Sequence, residues 1–303
     1  MIAHSSTNNR HLPVMLMESL ENLNIKNNGI YVDGTLGLGG HSEEILKKID
    51  SGFLLGIDRD RTSIDLANQR LSKYENFKLF HDSYQNLNRI MLSNDIEGVD
   101  GIILDLGLSS FQLENNQRGF SHKYSSDLDM RFDKDLDSDR ADNIIRKYDL
   151  RSLTKIFKEF GEERNAYRIA KMIKESDCDI DVYSITSIID KVTPYRFRIK
   201  TYSRIFQALR IETNKELEHL ENFLGGFIDL LNPGGRLVVI SYHSIEDRIV
   251  KHKLKNLKRE NAIKLIFKKP LIPSTDEVKI NKRSRSAKML SLIHISEPTR
   301  LCR

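Results

Sequence analysis

The sequence predicts a doubly wound α/β fold carrying an inserted helical unit, and three observations lead there. Short apolar runs alternate with helical stretches from Gly29 onward, a glycine-rich turn follows the first run, and a long helical segment separates the fourth run from the fifth. Strand and helix in that rhythm specify a parallel sheet covered by helices. A single crossover between parallel strands needs only ~30 residues, and the stretch between Gln112 and Arg236 is several times longer.

The elements follow in order. IYVD precedes HSEEILKKI, FLLGID precedes RTSIDLANQRL, FKLFHD precedes a helix near Leu87 to Met91, and GIILDLG is the fourth strand. RLVVISYH, Arg236 to His243, is the fifth, announced by Asn232-Pro233-Gly234-Gly235, which stops the helix before it. Leu150, Leu153, Ile156, Phe157 and Phe160 recur at three- and four-residue spacing, as do Ala166, Ile169, Ala170, Met172 and Ile173. These place a small α-helical domain at 114–205, between core segments 1–113 and 206–289. Thr213 and Glu216 form a capping-box pattern for the helix that returns the chain to the sheet. IKLIFKK reads as a last strand, antiparallel at the sheet edge.

The 303 residues are 39% hydrophobic and 30% charged, with a net charge of +5. That balance excludes disordered and collagen-like chains. The sequence has no apolar run of the ~18 to 20 residues that span a bilayer, and MIAHSSTNNRHLP lacks the apolar region of a signal peptide. A cytoplasmic protein with no membrane partner is the expectation. Cys178 and Cys302 are the only cysteines, too few for a disulfide framework or a cysteine zinc site. No metal is expected.

Tyr31 to His41, YVDGTLGLGGH, is a strand running through glycines into a helix. The third glycine of the dinucleotide fingerprint G-x-G-x-x-G falls on Ser42, so that match fails. D-x-x-x-G-x-G suits S-adenosylmethionine, which has no pyrophosphate but carries two cationic groups for a carboxylate to meet. Asp58 ends the second strand, where an acid accepts from both ribose hydroxyls. Tyr84 follows the third strand, where adenine would lie. Asp105 ends the fourth, and such strand ends line the binding crevice of an open parallel sheet. Gly107-Leu108-Ser109-Ser110-Phe111 lacks the final glycine of a nucleophile elbow. His243-Ser244-Ile245-Glu246-Asp247 has no zinc spacing and reads as a hydrogen-bonded loop. Tyr195 to Arg204, with Arg196, Arg198, Lys200 and Arg204 interleaved among aromatics, suits phosphates and stacked bases.

Together the motifs resemble a family. HLPVML, YVDGTLGLGGH, GIDRD, DGIILDLGLSSFQL, RGFS, LDMRF, GEER, FQALRIETNKEL, SYHSIEDRIVK and NKRSRSAK occur in the order found in bacterial 16S rRNA cytosine N4-methyltransferases of the MraW type. The resemblance runs from His11 to Met289. It implies a class I S-adenosylmethionine-dependent methyltransferase fold, acting on a cytidine in the decoding region of the small ribosomal subunit. Carried over, the cofactor residues are Gly39, Gly40, His41, Asp58, Tyr84, Asp105 and Gln112. Many amine methyltransferases carry an Asn- or Asp-Pro-Pro-aromatic motif after the fourth strand, whereas Asp105-Leu106-Gly107-Leu108 stands here. Asp105 and His243 are the candidates to orient the amine or take its proton, and the sequence does not choose between them. Relatives often have His-Pro-Ala-Thr-Arg where Lys200 to Arg204 stand, so no role is carried over for that histidine. A non-catalytic adenosyl-binding assembly factor is the alternative, and a homodimer is left open.

The stretch Leu290 to Arg303 resembles the translation of a sequencing-library adapter. It is expected to be non-native and to stand outside the fold, the native chain stopping near Met289 and truncated by little.

Overall fold

The structure is a computed structural model that describes residues 12–134 and 138–295. In chain order the elements are α1 (Leu16–Leu23), β1 (Ile30–Asp33), α2 (Gly40–Leu46), β2 (Phe53–Asp58), α3 (Arg61–Leu71), β3 (Phe77–His81), α4 (Leu87–Leu92) and β4 (Val99–Asp105). There follow α5 (Ser110–Glu114), α6 (Ala141–Lys147), α7 (Leu150–Glu159), α8 (Ala166–Lys174), α9 (Val182–Val192), α10 (Arg198–Asn214) and α11 (Glu216–Gly226). The chain then runs through β5 (Leu231–Ser241), α12 (Ser244–Arg259), β6 (Ile263–Leu265), α13 (Thr275–Ile280) and β7 (Lys288–His294). Two compact units result. Among the described residues, the first holds 12–58, Thr62–Gly107 and 223–295; the second holds Arg59–Arg61, 108–134 and 138–222.

The first unit is built on one sheet in the order β3-β2-β1-β4-β5-β7-β6. The first five strands are parallel, and β7 is antiparallel to both β5 and β6. This is the Rossmann-like, doubly wound architecture that the sequence predicts. Chain direction away from β1 reverses between β2 and β4, so the carboxyl ends of β1, β2 and β4 share the topological switch point where such sheets bind ligands. β4 has the apolar run of a strand covered on both faces: Ile102, Ile103 and Leu104 are all buried. β5 begins at Leu231, earlier than expected, because a register shift between Val99 and Gly101 takes Asn232 to Gly235 into the strand.

The expectation that residues 290–303 stand outside the fold is corrected for Leu290 to His294. Leu290 pairs with Val239 and Leu292 with both Leu237 and Leu265, and the side chains of Leu290, Leu292 and His294 are buried. Whatever its origin, an apolar run that begins two residues into β7 fits the unfilled place between β5 and β6. Residues 296–303, and Cys302 with them, lie outside the described residues. Cys178 is an exposed free thiol.

The second unit has its own core. Leu153, Ile156 and Phe157 of α7, Ala166, Ile169 and Ile173 of α8, and Ile185 and Ile189 of α9 pack together, as their spacing requires. Ile205, Phe206, Ala208 and Leu209 of α10 join the same cluster. The expected 114–205 boundary therefore cuts α10 in its middle, and the unit extends on both sides of it. The capping box at Thr213 does not form either. Thr213 and Asn214 continue α10, and the break comes at Lys215, whose backbone is left-handed at φ 51°. Among the described residues no helix is long and apolar enough to cross a membrane.

Candidate active site

In the first unit, β1 ends at Asp33 and the chain turns through Gly34 to Gly39 into α2. Gly37 and Gly39 have φ of 51° and 73°, a region that disfavours residues with a Cβ. The Gly37 N–H donates to Asp58 Oδ2 at 2.7 Å, so the end of β2 holds the loop that follows β1. At Gly39 a Cβ would lie 3.3 Å from the Ala67 side chain, and at Gly40 it would strike Pro13. His41 is buried with Nε2 3.2 Å from the Val14 carbonyl. The packing of the two glycines and the histidine is thus accounted for within the protein.

Asp33 is buried. The Ser42 hydroxyl donates to its Oδ2 at 2.7 Å and the Thr35 N–H to its Oδ1 at 3.3 Å. Burial pushes its carboxyl up, and Asp105 adds to that, against the opposing effects of His41 and Ser42. Tyr84 is half-buried, edge-on to Phe223 with centroids 5.6 Å apart, and its Cβ lies beside Gly34.

Asp105 is half-buried and held from two sides. Its backbone N–H donates to Thr35 Oγ1 at 2.6 Å, and the Tyr242 hydroxyl donates to its Oδ1 at 2.7 Å. Asp58 and Asp105, with buried Asp33 between them, thus end the three strands at the switch point. Acceptors in that number suit a ligand with hydroxyls and positive charge, which is the chemistry of S-adenosylmethionine.

His243 is occupied differently. It is the N-cap of α12: its Nδ1 faces the Glu246 N–H at 3.4 Å, and its Nε2 lies 3.1 Å from Glu246 Oε1. Glu246 Oε2 in turn accepts from the N–H groups of Tyr242 and His243. Both ring nitrogens are turned to one residue of the cap, whereas Asp105 ends β4 at the switch point of the sheet.

Gln112 belongs to the second unit. Its Nε2 donates to Asp60 Oδ2 at 3.0 Å, and its Oε1 accepts from the Ser109 N–H, completing a capping box on α5. Asp60 also pairs with Arg118, whose guanidinium donates to the carbonyls of Arg131 and Phe132 at 2.8 Å.

The basic segment is also in the second unit, and its four cations differ. Arg198 lies 3.3 Å from Asp190 and donates to its carbonyl; Arg204 lies 3.4 Å from buried Glu163. Arg196 and Lys200 are exposed, and among the described residues no ion pair holds either. Arg196 stacks on Phe197, 4.6 Å from the ring centroid, and Tyr195 is 85% exposed.

Tyr242, Thr35 and the Asp60–Arg118 pair were not singled out by the sequence. Tyr242 had a readable signal, an aromatic directly after the fifth strand; the other two depend on contacts between segments far apart in the chain.

A Rossmann-like sheet with acids ending β1, β2 and β4 and a glycine turn leading into α2 defines a class I S-adenosylmethionine-dependent methyltransferase. The family model described as the MraW methylase family matches residues 8–295, and the chain belongs to that family. It is 42% identical over 301 residues to the ribosomal RNA small subunit methyltransferase H of Clostridium botulinum strain Loch Maree, covering 92% of this chain and 97% of that one. The protein of that name from Halothermothrix orenii is also 42% identical, covering 92% and 96%, and methyltransferase H 1 of Acholeplasma laidlawii is 42% identical over 296 residues, covering 92% and 97%. Among solved structures, an rRNA methylase from Streptococcus thermophilus aligns over 92% of this chain and 95% of its own at 14% identity, TM-score 0.43.

Proposed function

We propose that this methyltransferase acts on the N4 amine of a cytidine in the decoding region of 16S rRNA within the small ribosomal subunit. The observation that carries the reading is Asp105, an acceptor fixed at its backbone by Thr35 and at one oxygen by Tyr242, at the end of β4. The relatives' shared name supplies the substrate class.

The cytosine amine is a poor nucleophile because its lone pair is delocalised into the ring. S-adenosylmethionine supplies an electrophilic methyl on sulfur. Asp105 accepts from an amine hydrogen, turning the nitrogen toward the methyl and drawing off positive charge as it develops. Asp58 accepts from the ribose hydroxyls, and Tyr84 packs against the adenine. Backbone groups of the Gly39–Gly40–His41 turn line the same ligand. His243 acts as a helix cap here, and Gln112 supports Asp60. The target base must leave its stack to reach a crevice at strand ends. Arg196 and Lys200 meet phosphates of the flanking strand while Tyr195 and Phe197 offer stacking faces; Arg198 and Arg204 hold that segment in shape.

Nucleoside mass spectrometry of small subunits methylated by the purified enzyme tests the reading. N4-methylcytidine is the expected product; methyl on carbon 5, on a ribose oxygen or on another base would overturn it.

A further inference from the structure

The hydroxyl of Tyr242 is aimed at the one carboxylate to which the proposed chemistry assigns a direct part. β4 and β5 are parallel neighbours with Asp105 opposite Ile240, and the Leu106 N–H carries the ladder on to the Ile240 carbonyl at 3.0 Å. Two residues further along each strand stand Gly107 and Tyr242. Here the tyrosine ring lies against the glycine: a Cβ at 107 would come within 2.6 Å of ring carbon Cε2 and 2.9 Å of Cδ2. The missing side chain at 107 is therefore the slot that admits the ring. From it, the hydroxyl returns to Asp105 Oδ1 at 2.7 Å. The other end of Tyr242 is fixed as well, since its N–H donates to Glu246 Oε2 at 2.9 Å inside the cap of α12.

We infer that Tyr242 is a positioning residue for methyl transfer, holding Asp105 Oδ1 so that the second carboxylate oxygen is presented to the amine in one orientation. This rests on the reading of Asp105 given above. A carboxylate free to rotate offers either oxygen in many directions, and a pinned one offers its remaining oxygen in one. The phenol serves only as a donor. Burial, together with the charge and hydrogen bond of Asp105, raises it well above its ordinary range, so it keeps its proton and does not compete as a base. The absent Pro-Pro-aromatic motif is thus answered from beside the next strand: the glycine at 107 makes the space, and the residue directly after β5 supplies the aromatic ring.

The test uses the full chain, small subunits lacking the methyl group, and saturating S-adenosylmethionine. Tyr242→Phe keeps the ring in its slot and removes only the hydroxyl. It should lower kcat about ten- to hundredfold, with the Kd for S-adenosylmethionine from calorimetry and the Tm close to those of the unaltered protein. A double-mutant cycle with Asp105→Asn separates this inference from the reading beneath it. If Tyr242 works through Asp105, adding Tyr242→Phe to Asp105→Asn costs little more. Full kcat in Tyr242→Phe, beside a strongly impaired Asp105→Asn, would overturn the inference and leave the reading intact. Full additivity of the two losses would do the same. Full kcat in both single variants would remove the reading and the inference together. Gly107→Ala, whose Cβ displaces the ring, should reproduce the kcat defect and stands in if Tyr242→Phe unfolds; normal kcat in a folded Gly107→Ala would count against the slot and overturn the inference.

Discussion

Asp60 and Arg118 form an ion pair in which both side chains are almost wholly buried, at 3% and 4% exposure. Removing one partner of such a pair leaves an uncompensated charge in a low-dielectric interior, at a cost of about 3 to 5 kcal/mol. Arg118→Met should therefore destabilise the protein by that order in denaturant unfolding. Asp60→Asn should lose less in the Arg118→Met background than alone, because the charge that would be stranded has gone. Additive losses would show that the two residues are not acting as a pair.

Asp58→Ala should weaken S-adenosylmethionine binding about ten- to hundredfold, the equivalent of ~1.5 to 3 kcal/mol for hydrogen bonds to a charged acceptor. The glycine loop loses its tie at Gly37 in the same substitution. Calorimetry reads the affinity directly, and an unchanged Kd would take Asp58 out of the cofactor site.

A chain ended at Met289 should be markedly less stable than one that reaches His294. It gives up the burial of Leu290 and Leu292, each about 1.5 to 3 kcal/mol, and leaves β6 without the strand it pairs with. Equal melting temperatures for the two chains would mean that β7 adds nothing to the fold.

His219 should make stability fall in mild acid. Burial, reinforced by the positive charge of Arg59, lowers it from 6.5 to about 4. The unfolded chain takes up the proton first, so the full contribution is present above pH 6.5 and is lost as pH falls toward 4. His219→Gln should show a smaller drop in Tm between pH 7 and pH 5 than the unaltered protein. The same drop in both would discount His219 as the cause.

Arg196→Ala with Lys200→Ala should weaken RNA binding and lower the slope of log K against log salt by about one for each phosphate no longer neutralised. Cofactor affinity should not move. Arg198→Ala alone should instead reduce Tm, since that side chain is held by Asp190 and its carbonyl. An unchanged salt slope in the double variant would place the RNA path elsewhere.

The strands β1, β2 and β4 were legible because buried parallel strands are largely apolar runs, and the strand-end positions of Asp58 and Asp105 because each closes such a run; β3, which carries exposed Lys78, was legible from the strand–helix rhythm instead. The seventh strand was not, since whether SLIHI is inside a sheet depends on an open place between β5 and β6 that no local pattern records. Gln112 was legible in position and not in its contacts. The motif gave its position, but only the fold shows its amide turned to Asp60. Thr213 had the residue spacing of a cap, yet Lys215 adopts the left-handed turn, because the buried side chains of α10 run on through Asn214.

The sheet order has a bearing on how the protein is made. β7 is an inner strand lying between β5 and β6, although it is the last of them to be synthesised. While the chain emerges from its N-terminus at about 5 to 20 residues per second, β5 has one open flank and β6 has no strand beside it until residues 288–294 appear. The helical unit can complete its core well before then, within a host sheet that is still open. A nascent chain of this protein would thus expose a bare β edge from the completion of β5 until residues 288–294 are made, and mispairing at that edge is open for as long as α12, β6 and α13 are being synthesised.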